Sequence, residues 1–561
     1  MKKEGKSRVI SHDTLRFTKK QNIPKNKKIS YARFVCEERP QKDEVQRTRL
    51  TVGGDRLDFD DDTATDVASM DTTKIHLNSV ISTPGARYVA ADIGNFYTNS
   101  KLPSPEYMRV HINDIPEEII EEYNVTQYSE SDGWVYIEII GALYGLKQAG
   151  KIANEDLIKY LKPHGYYPSK RTPGLWFHEE RPISFTLVVD DLGVKYTRKE
   201  DALHLFGVLE QKYPLKIDWS GKKYIGIDLD WHYDAKDPHV ILSMKGYVEK
   251  ALKEYLWVKR KNTYGPTPFT PPDYGQHVQY VHEDTSKPLN AKGIKEVQQV
   301  AGKFLYNSRA IDNTIAYALN ELNIAATKAT GETKEALDHL KDYLATNPEA
   351  QIVFRASDMQ LVVDSDAAYL NAPKSRSRAG GYHFLGNTDG KLFNGPIFIL
   401  AKIIKAVMSS AAEAEVGSLF INAQQAIQYI VTLEELGHPQ AAVPLLTDNS
   451  TAAGFLTGTI KKKRSKAFDM RFQWLIDRVD QKQFKVLWGP GKQRLSDYFT
   501  KTFSAPYHKQ VRPIYSYTPG KSPNSLQGCI EILERANQPK SSRAVPTAPT
   551  DSTVASAGAN R

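Results

Sequence analysis

The chain has 561 residues, of which 40% are hydrophobic and 25% charged, a balance typical of a globular protein of about three or four domains. Its 75 Lys and Arg against 66 Asp and Glu give a net charge of +9, which permits a polyanionic partner without requiring one. Two cysteines, Cys36 and Cys529, exclude a disulfide scaffold and a cysteine-rich zinc module. Since no apolar run reaches the length of a membrane helix and the N-terminus lacks the apolar core of a signal peptide, we expect a soluble intracellular protein.

The first half of the chain is predicted to begin with a flexible basic arm, because residues 1–28 hold ten Lys and Arg but only two acids. Strand-like and helix-like stretches then alternate over 29–264. Strand candidates rich in Val, Ile and aromatic residues are Tyr88–Asp92, Trp134–Ile140 and Ile183–Val189. The breaker cluster GPTPFTPPDYG at 265–275 predicts a linker, and helical patterns follow at Lys292–Ser308 and Glu332–Thr346.

Two strand-like runs of this half end on carboxylates. YVAADIGNFYTN is an apolar strand that ends on Asp92, and Tyr97 follows five residues later. FTLVVDDLGVKY predicts a β-hairpin whose tip carries Asp190 and Asp191, although an ordinary exposed turn is the alternative. Asp92 and Asp190 together are able to hold two Mg²⁺ ions, which activate a 3′-hydroxyl and stabilise a leaving pyrophosphate. The bulk of Tyr97 would then close off the sugar 2′ position.

A second α/β block is predicted to begin at Gln351. Its elements, in chain order, are the strands Gln351–Arg355, Leu361–Ser365, Gly381–Leu385 and Gly395–Leu400, a long helix from about Ser409, the strand Val443–Leu446, a helix Ser465–Asp480 and the strand Phe484–Trp488. Ser, Pro, Thr and Ala dominate from about Lys521 onward, which predicts disorder at the C-terminus.

Acids recur at the ends of these C-terminal elements. Asp364 and Asp366 share one face of the strand LVVDSD, and Glu413 lies in the first turn of a serine-capped helix. Asp448 ends the strand LLTD, and Asp497 lies on a final short helix. Such acids suit a two-metal phosphodiester hydrolase. The alternative for each acid taken singly is an ordinary surface carboxylate or a charge at the start of a helix.

The order of DIGNFYTN, ALYGLKQAG and LVVDDLGV resembles the reverse transcriptase of copia-type retrotransposons. DSDAAYL, AEAEV, TDNSTA and LSDYFTK are similar to segments of the ribonuclease H fused behind such enzymes, so the resemblance covers about residues 30–505. It implies an α/β fold class, with an α+β palm, fingers and thumb followed by a ribonuclease H-like α/β domain. The implied regions are a basic flexible arm at 1–28, fingers and palm at 29–265, thumb and connection at 266–350, the ribonuclease H-like domain at 351–505 and a largely disordered tail at 506–561.

The resemblance also implies roles for individual residues. The polymerase metal ligands would be Asp92, Asp190 and Asp191. The nuclease metal ligands would be Asp366, Glu413, Asp448 and Asp497. Asp364 and Glu415 are near neighbours that an error of register would confuse with the nuclease ligands. Tyr97 would be the sugar-gating aromatic residue and Gln148 would line the nucleotide pocket. Lys42, Arg47 and Arg49 are candidates for binding the triphosphate, with a solvated basic strand as the alternative.

The implied function is an RNA-directed DNA polymerase that adds dNTPs to a primer 3′-hydroxyl, with a ribonuclease H that degrades RNA in RNA–DNA hybrids. Each active site would use two Mg²⁺ or Mn²⁺ ions. Expected partners are the RNA template, the DNA primer, the hybrid, dNTPs and other retrotransposon proteins such as capsid and integrase, but no membrane. Expected locations are the cytoplasm, in virus-like particles, and the nucleus. Since integrase, protease and capsid regions are not in the chain, we expect part of a longer polyprotein or a truncated product.

Two departures from the family motifs motivate a rival hypothesis. Val188 stands where the family usually has Tyr, and Gly150 with Lys151 stands where it usually has Pro-Arg. Neither departure removes a metal ligand. The rival is a catalytically decayed relic that only binds nucleic acid.

Overall fold

The computed structural model describes residues 13–38, 46–59, 61–271, 284–459 and 469–537. Within these ranges the chain forms four β-sheets flanked by helices, which confirms the predicted α/β class. In the same ranges, no helix combines the length and the apolar character that a bilayer crossing requires.

The N-terminal half of the described chain builds two sheets. Its elements are β1 (Leu15–Thr18), β2 (Ile29–Glu38), β3 (Gln46–Val52), α1 (Met70–Ser82), β4 (Arg87–Ile93), β5 (Lys101–His111), α2 (Glu117–Glu122), β6 (Trp134–Gly141), α3 (Ala149–Leu161), β7 (Tyr166–Pro168), β8 (Leu175–His178), β9 (Ile183–Val188), β10 (Asp191–Tyr196), α4 (Lys199–Glu210) and β11 (Leu215–Asp218). The strand order is β1-β6-β5-β2-β3 in the first sheet and β11-β4-β10-β9-β8-β7 in the second. The second sheet lies within the region predicted to be fingers and palm, and we call it the palm sheet.

The palm sheet is buried on both faces at its centre. The two-residue period of β9 directs Phe185 and Leu187 into a core with Leu157 of α3 and Leu205 of α4. Ser184 points to the opposite face, where its hydroxyl contacts a ring nitrogen of His76 on α1 at 3.1 Å. Helices therefore cover both sides, whereas Asp92 near the end of β4 is exposed.

The middle of the chain forms a small sheet and a helical cluster. Its elements are β12 (Lys223–Tyr224), β13 (Ile227–His232), β14 (His239–Ser243), α5 (Tyr247–Glu254), α6 (Ala291–Ala310), α7 (Ala316–Ala325), α8 (Gly331–Thr346) and β15 (Gln351–Arg355). The predicted helices of this region are confirmed as α6 and α8. The prediction that β15 opens the C-terminal block is wrong, because β15 pairs with β14 and buries Ile352 and Phe354 against Val240 and Leu242.

The C-terminal block has a sheet of its own. Its elements are β16 (Gln360–Ala372), β17 (Arg376–Gly386), β18 (Pro396–Ile403), α9 (Ala411–Glu435), β19 (Val443–Thr447), α10 (Ser450–Leu456), α11 (Asp469–Asp480), β20 (Phe484–Trp488), α12 (Ala505–Tyr515) and α13 (Leu526–Ala536). The strand order is β18-β17-β16-β19-β20, with β19 parallel to both of its neighbours. Leu419 and Ala423 of α9 pack on this sheet against Leu361 and Val363 of β16.

The described part of the basic arm is folded where it meets the first sheet. β1 pairs with β6 in antiparallel register, and Leu15 is buried opposite Ile139. The prediction of a flexible arm over 1–28 is therefore wrong for this segment, while residues 1–12 lie outside the described ranges. The short strand LRFT contains an arginine and is followed by lysines, so an assessment based on charge did not detect it.

The predicted disordered tail at 506–561 is wrong for residues 506–537, which are ordered and contain most of α12 and all of α13. Tyr515, Cys529 and Leu533 are buried and form one core with Tyr382 of β17. The hydroxyl of Ser525 accepts a hydrogen bond from the Gly528 amide and so caps α13. The Ser and Pro residues just before this cap masked the amphipathic helix that follows. Residues 538–561 lie outside the described ranges.

Candidate active sites

Two of the predicted polymerase acids face each other across a strand pair. Asp191 at the start of β10 lies directly opposite Asp92 of β4, so their side chains project from the same face of the sheet. The predicted hairpin is present, with Val189 and Asp190 between β9 and β10 and with Val189 in the left-handed region at φ 60°. The Asp190 carbonyl accepts a hydrogen bond from the Ile93 amide at 2.8 Å. This bond holds the turn that carries Asp190 against the end of β4.

A lysine that the sequence analysis missed borders these acids. Lys216 of β11 lies opposite Asp92 on the other side of β4 and shares its face. Its cationic side chain is therefore a neighbour of the aspartates. β11 has only four residues and gave no strand signal strong enough to place Lys216 beforehand.

Tyr97, the predicted sugar-gating residue, lies near Asp190 of the hairpin turn. Burial and the charge of Asp190 raise the pKa of its hydroxyl to about 12. Its ring packs edge-on against Tyr144, with centroids 5.1 Å apart, and the Arg49 guanidinium lies 5.9 Å from the Tyr144 ring. Tyr144 was not predicted as a site residue, yet it connects Tyr97 to Arg49.

The other nucleotide-pocket candidates differ in where they lie. Gln148 is buried at the residue before α3, and its carbonyl accepts a hydrogen bond from the Ile152 amide. The Val52 amide at the end of β3 donates to the Tyr144 carbonyl at 2.9 Å, which joins the strand of Arg49 to this segment. The backbone of Arg47 belongs to β3, but its side chain lies outside the described part of the structure, as does Lys42.

The C-terminal sheet brings three carboxylates together. Oxygen atoms of Asp366, Glu415 and Asp448 lie within 4.8 Å of one another, from β16, α9 and the end of β19. Burial, reinforced by the other two carboxylates, raises the pKa of Glu415, and burial with Asp366 raises that of Asp448. Hard divalent cations prefer carboxylate oxygens as ligands, and a bound cation would offset the repulsion among these three negative charges. These residues therefore fit such an ion.

Glu413, predicted for this cluster, lies outside it and is replaced there by Glu415. Two residues on an α-helix are separated by about 200°, so only one of the two glutamates faces the sheet. Glu413 instead reinforces the Ser410 cap of α9, because its Oε2 accepts hydrogen bonds of 2.6 Å from both the amide and the hydroxyl of Ser409, the residue before that cap. A count of four residues back from the buried Leu419 reaches Glu415, and this helical signal was present in the sequence.

Asp497 borders the cluster from the short helix Ser496–Phe499. Burial and the neighbouring Asp366 raise its pKa to about 7, against the opposing effect of Lys501, whose Nζ donates a hydrogen bond to it. The Thr500 hydroxyl donates to Asp366 Oδ2 at 2.6 Å. The segment after β20 therefore supplies a fourth carboxylate and a cation to the site.

Asp364 has a different role from Asp366. Its Oδ1 accepts hydrogen bonds from the amide and the hydroxyl of Ser496, and its Oδ2 lies 3.4 Å from Nη1 of Arg494. It therefore anchors the segment that carries Asp497. Arg494 was not predicted, since an arginine in a loop carries no sequence signal of its own.

Comparisons with known proteins identify transposon proteins as relatives. The chain is 24% identical over 371 residues to a retrovirus-related Pol polyprotein from transposon TNT 1-94 of Nicotiana tabacum, a match that covers 64% of this chain and 26% of the polyprotein. A putative transposon Ty5-1 protein of Saccharomyces cerevisiae is 24% identical over 343 residues, which cover 60% of this chain and 100% of that protein. The Ty1-MR1 Gag-Pol polyprotein of Saccharomyces cerevisiae is 23% identical over 382 residues, which cover 65% of this chain and 21% of the polyprotein. The chain thus spans about a quarter of the length of the two polyproteins.

Among solved structures, the foamy viral protease-reverse transcriptase dRH in complex with double-stranded DNA aligns at a TM-score of 0.43 and 12% identity, covering 86% of this chain and 68% of that one. No protein-family profile matches the chain. Its homologues are Ty1/copia-type Pol polyproteins and transposon proteins, at moderate identity over about 65% of its length, which confirms the resemblance predicted from the motifs.

Proposed function

We propose that the chain is a retrotransposon reverse transcriptase with a ribonuclease H activity in its C-terminal block. It extends a DNA primer on an RNA template and degrades the RNA of the resulting hybrid. The observation that carries this proposal is a pair of separate carboxylate sites on two sheets, Asp92 with Asp191 on one and Asp366 with Glu415 and Asp448 on the other. Homology to Pol polyproteins supports both activities.

In the polymerase site, the aspartates of β4 and of the hairpin turn offer the oxygen ligands that Mg²⁺ and Mn²⁺ prefer. Two such ions, when bound, lower the pKa of the primer 3′-hydroxyl and stabilise the leaving pyrophosphate. Tyr97 excludes a ribose 2′-hydroxyl by its bulk, and Gln148 lines the nucleotide pocket. Arg49 supplies positive charge to the triphosphate, with Arg47 and Lys42 as further candidates.

In the nuclease site, the ligands are Asp366, Glu415, Asp448 and Asp497. They would hold Mg²⁺ or Mn²⁺, which would supply an activated water molecule and stabilise the leaving oxygen of a phosphodiester. Lys501 offsets the negative charge of the cluster and donates to Asp497. Shape and backbone contacts, rather than base sequence, would recognise the RNA–DNA hybrid.

The proposed partners follow from these reactions. They are the RNA template, the DNA primer, the hybrid and dNTPs, with capsid and integrase as retrotransposon proteins that act beside the chain. The proposed location is the cytoplasm, in virus-like particles, and the nucleus.

The decisive experiment measures primer extension on an RNA template and cleavage of a separate RNA–DNA hybrid, with purified protein and Mg²⁺. Asp190→Asn is expected to abolish extension and to leave hybrid cleavage, whereas Asp497→Asn is expected to do the reverse. If one substitution removes both activities in a folded protein, the division into two sites is wrong. Binding of the hybrid without either activity in the unmodified chain would instead support the decayed relic.

A further inference from the structure

Helix α9 reaches from the nuclease site to the polymerase region. It has 25 residues and is therefore about 37 Å long. Glu415 lies near its N-terminal end in the carboxylate cluster, and Glu435 is its last residue. The two glutamates are twenty residues apart, a distance of about 30 Å along the helix.

The C-terminal end of α9 makes a largely buried polar contact with the loop between β7 and β8 of the palm sheet. The carboxylate of Glu435 accepts hydrogen bonds from the hydroxyl of Ser169 at 2.8 and 2.9 Å and from that of Thr172 at 2.6 Å. Arg171 Nε lies 3.6 Å away, and the Glu435 side chain is only 14% exposed. Hydrogen bonds to a charged and largely buried acceptor are stronger than neutral ones.

Three further side chains of the same segment contact the polymerase region. Tyr429 donates a hydrogen bond to Asp71 of α1 at 2.8 Å, and His438 is bonded to the Ser79 hydroxyl at 2.7 Å. The hydroxyls of Thr432 and Thr172 are 3.1 Å apart. We call Tyr429, Thr432, Glu435 and His438 the latch.

Helix α1, which receives two of these contacts, is shared between the two regions. Its residues from Thr72 to Ile81 are all buried, and its Ile75 belongs to the hydrophobic core of the C-terminal sheet. It also contacts β9, through His76 and Ser184. The latch therefore binds a helix that is itself part of the palm.

The loop held by Glu435 leads directly to the polymerase acids. Gly174 follows Thr172 by two residues, and its carbonyl accepts a hydrogen bond from the Leu187 amide at 2.8 Å. Leu187 lies in β9, three residues before Asp190. A short, hydrogen-bonded path therefore joins the latch to the hairpin turn.

We propose that α9 is a rigid strut whose latch fixes the nuclease site at one distance from the polymerase site. Glu435 and Tyr429 are positioning residues in this arrangement, since they touch neither set of acids. The fixed distance between the two sites does not depend on activity. Its consequence, a fixed site of RNA cleavage relative to the primer end, rests on the proposed function.

The test compares Glu435→Ala and the conservative Tyr429→Phe with Glu434→Ala, a matched control at the exposed neighbouring glutamate. Amide hydrogen exchange of the full chain is measured over residues 169–175. We expect exchange about 10-fold faster in Glu435→Ala, a smaller increase in Tyr429→Phe and no change in the control. The second measurement maps RNA cuts on a hybrid with one fixed primer 3′ end.

We expect one dominant cut position in the unmodified chain and in Glu434→Ala, and several neighbouring positions in Glu435→Ala. Cleavage rates on a short hybrid without a primer end should stay the same in all variants. Exchange and cut positions equal to those of the control in both latch variants would overturn the strut. If the unmodified chain cuts nothing, the proposed function fails, and the exchange measurement alone decides whether the latch exists.

Discussion

The backbone amide of Ala367 donates a hydrogen bond of 3.0 Å to Oε1 of Glu415. This bond ties the strand of Asp366 to helix α9 and aims the Glu415 carboxylate at the cluster. The Thr447 hydroxyl lies 3.4 Å from the other carboxylate oxygen of Glu415, so the residue is held from β16 and from β19.

We therefore expect Glu415→Gln to lower hybrid cleavage by about 100-fold or more, because it removes a charged ligand from the cluster. Glu413→Gln is the matched control in the same helix. It should retain cleavage and lower the free energy of unfolding by only about 0.5–1 kcal/mol, the usual size of a capping contribution. Steady-state cleavage and chemical denaturation measure both effects. If Glu413→Gln loses cleavage and Glu415→Gln retains it, Glu413 is the metal ligand, as first predicted.

The pKa of Asp497 predicts a dependence of stability on pH. Its ordinary pKa of 3.8 rises to about 7 in the folded protein, chiefly through burial and then through Asp366. A folded pKa above the unfolded one stabilises the protein fully at low pH, and this contribution is lost as the pH rises through about 7. With a chelator present, the free energy of unfolding should thus fall more between pH 4 and pH 7 in the unmodified chain than in Asp497→Asn.

Addition of Mg²⁺ should reverse this loss in the unmodified chain, since the cation favours the ionised carboxylate, and should do less in Asp497→Asn. Urea denaturation at a series of pH values checks the prediction. Parallel pH curves for the two proteins would show that folding does not raise the pKa of Asp497.

Tyr97 is expected to select deoxyribonucleotides through its bulk. Tyr97→Val should raise the incorporation of ribonucleotides relative to dNTPs by about 10-fold or more, whereas Tyr97→Phe should leave it unchanged because the ring stays in place. Single-nucleotide extension with rNTP and dNTP compares the variants. If Tyr97→Val selects dNTPs as well as the unmodified chain does, another residue excludes ribonucleotides, and the adjoining Tyr144 is the next candidate.

The sequence predicted those features that depend on neighbours along the chain. The apolar strands that end on Asp92 and Asp448, and the hairpin of Asp190 and Asp191, are set by local patterns. The latch could not be predicted, because Glu435 and Thr172 are 263 positions apart. The sheet to which a strand belongs is equally hard to predict, because the backbone groups at its edges can form hydrogen bonds with several alternative strands.

A second limit concerns register within a correctly predicted element. The helix of AEAEV was predicted, yet the choice between Glu413 and Glu415 depends on which face meets the sheet. The spacing to Leu419 holds that information, but it becomes useful only when the sheet-facing side is known. Composition alone also misled the prediction for α13, because the Ser and Pro residues that flank the helix outweighed its own apolar residues, of which Cys529 and Leu533 are buried.

The C-terminal helix α13 is expected to support the nuclease site specifically. Its Glu534 accepts a hydrogen bond of 2.9 Å from Gln493. Gln493 belongs to the turn of Gly491, where an added Cβ would lie 2.6 Å from Asp448 Oδ2. Loosening α13 should therefore disturb the turn that packs against Asp448 before it disturbs the distant palm.

Leu533→Ala tests this role, because Leu533 is 1% exposed in the core that α13 shares with Tyr382. The substitution should lower the free energy of unfolding by about 2–4 kcal/mol, whereas Glu531→Ala on the exposed side of the same helix should cost under about 0.5 kcal/mol. On heating, Leu533→Ala should lose hybrid cleavage at a lower temperature than primer extension. Simultaneous loss of both activities would mean that the latch and the shared helix α1 make the two regions unfold as one unit.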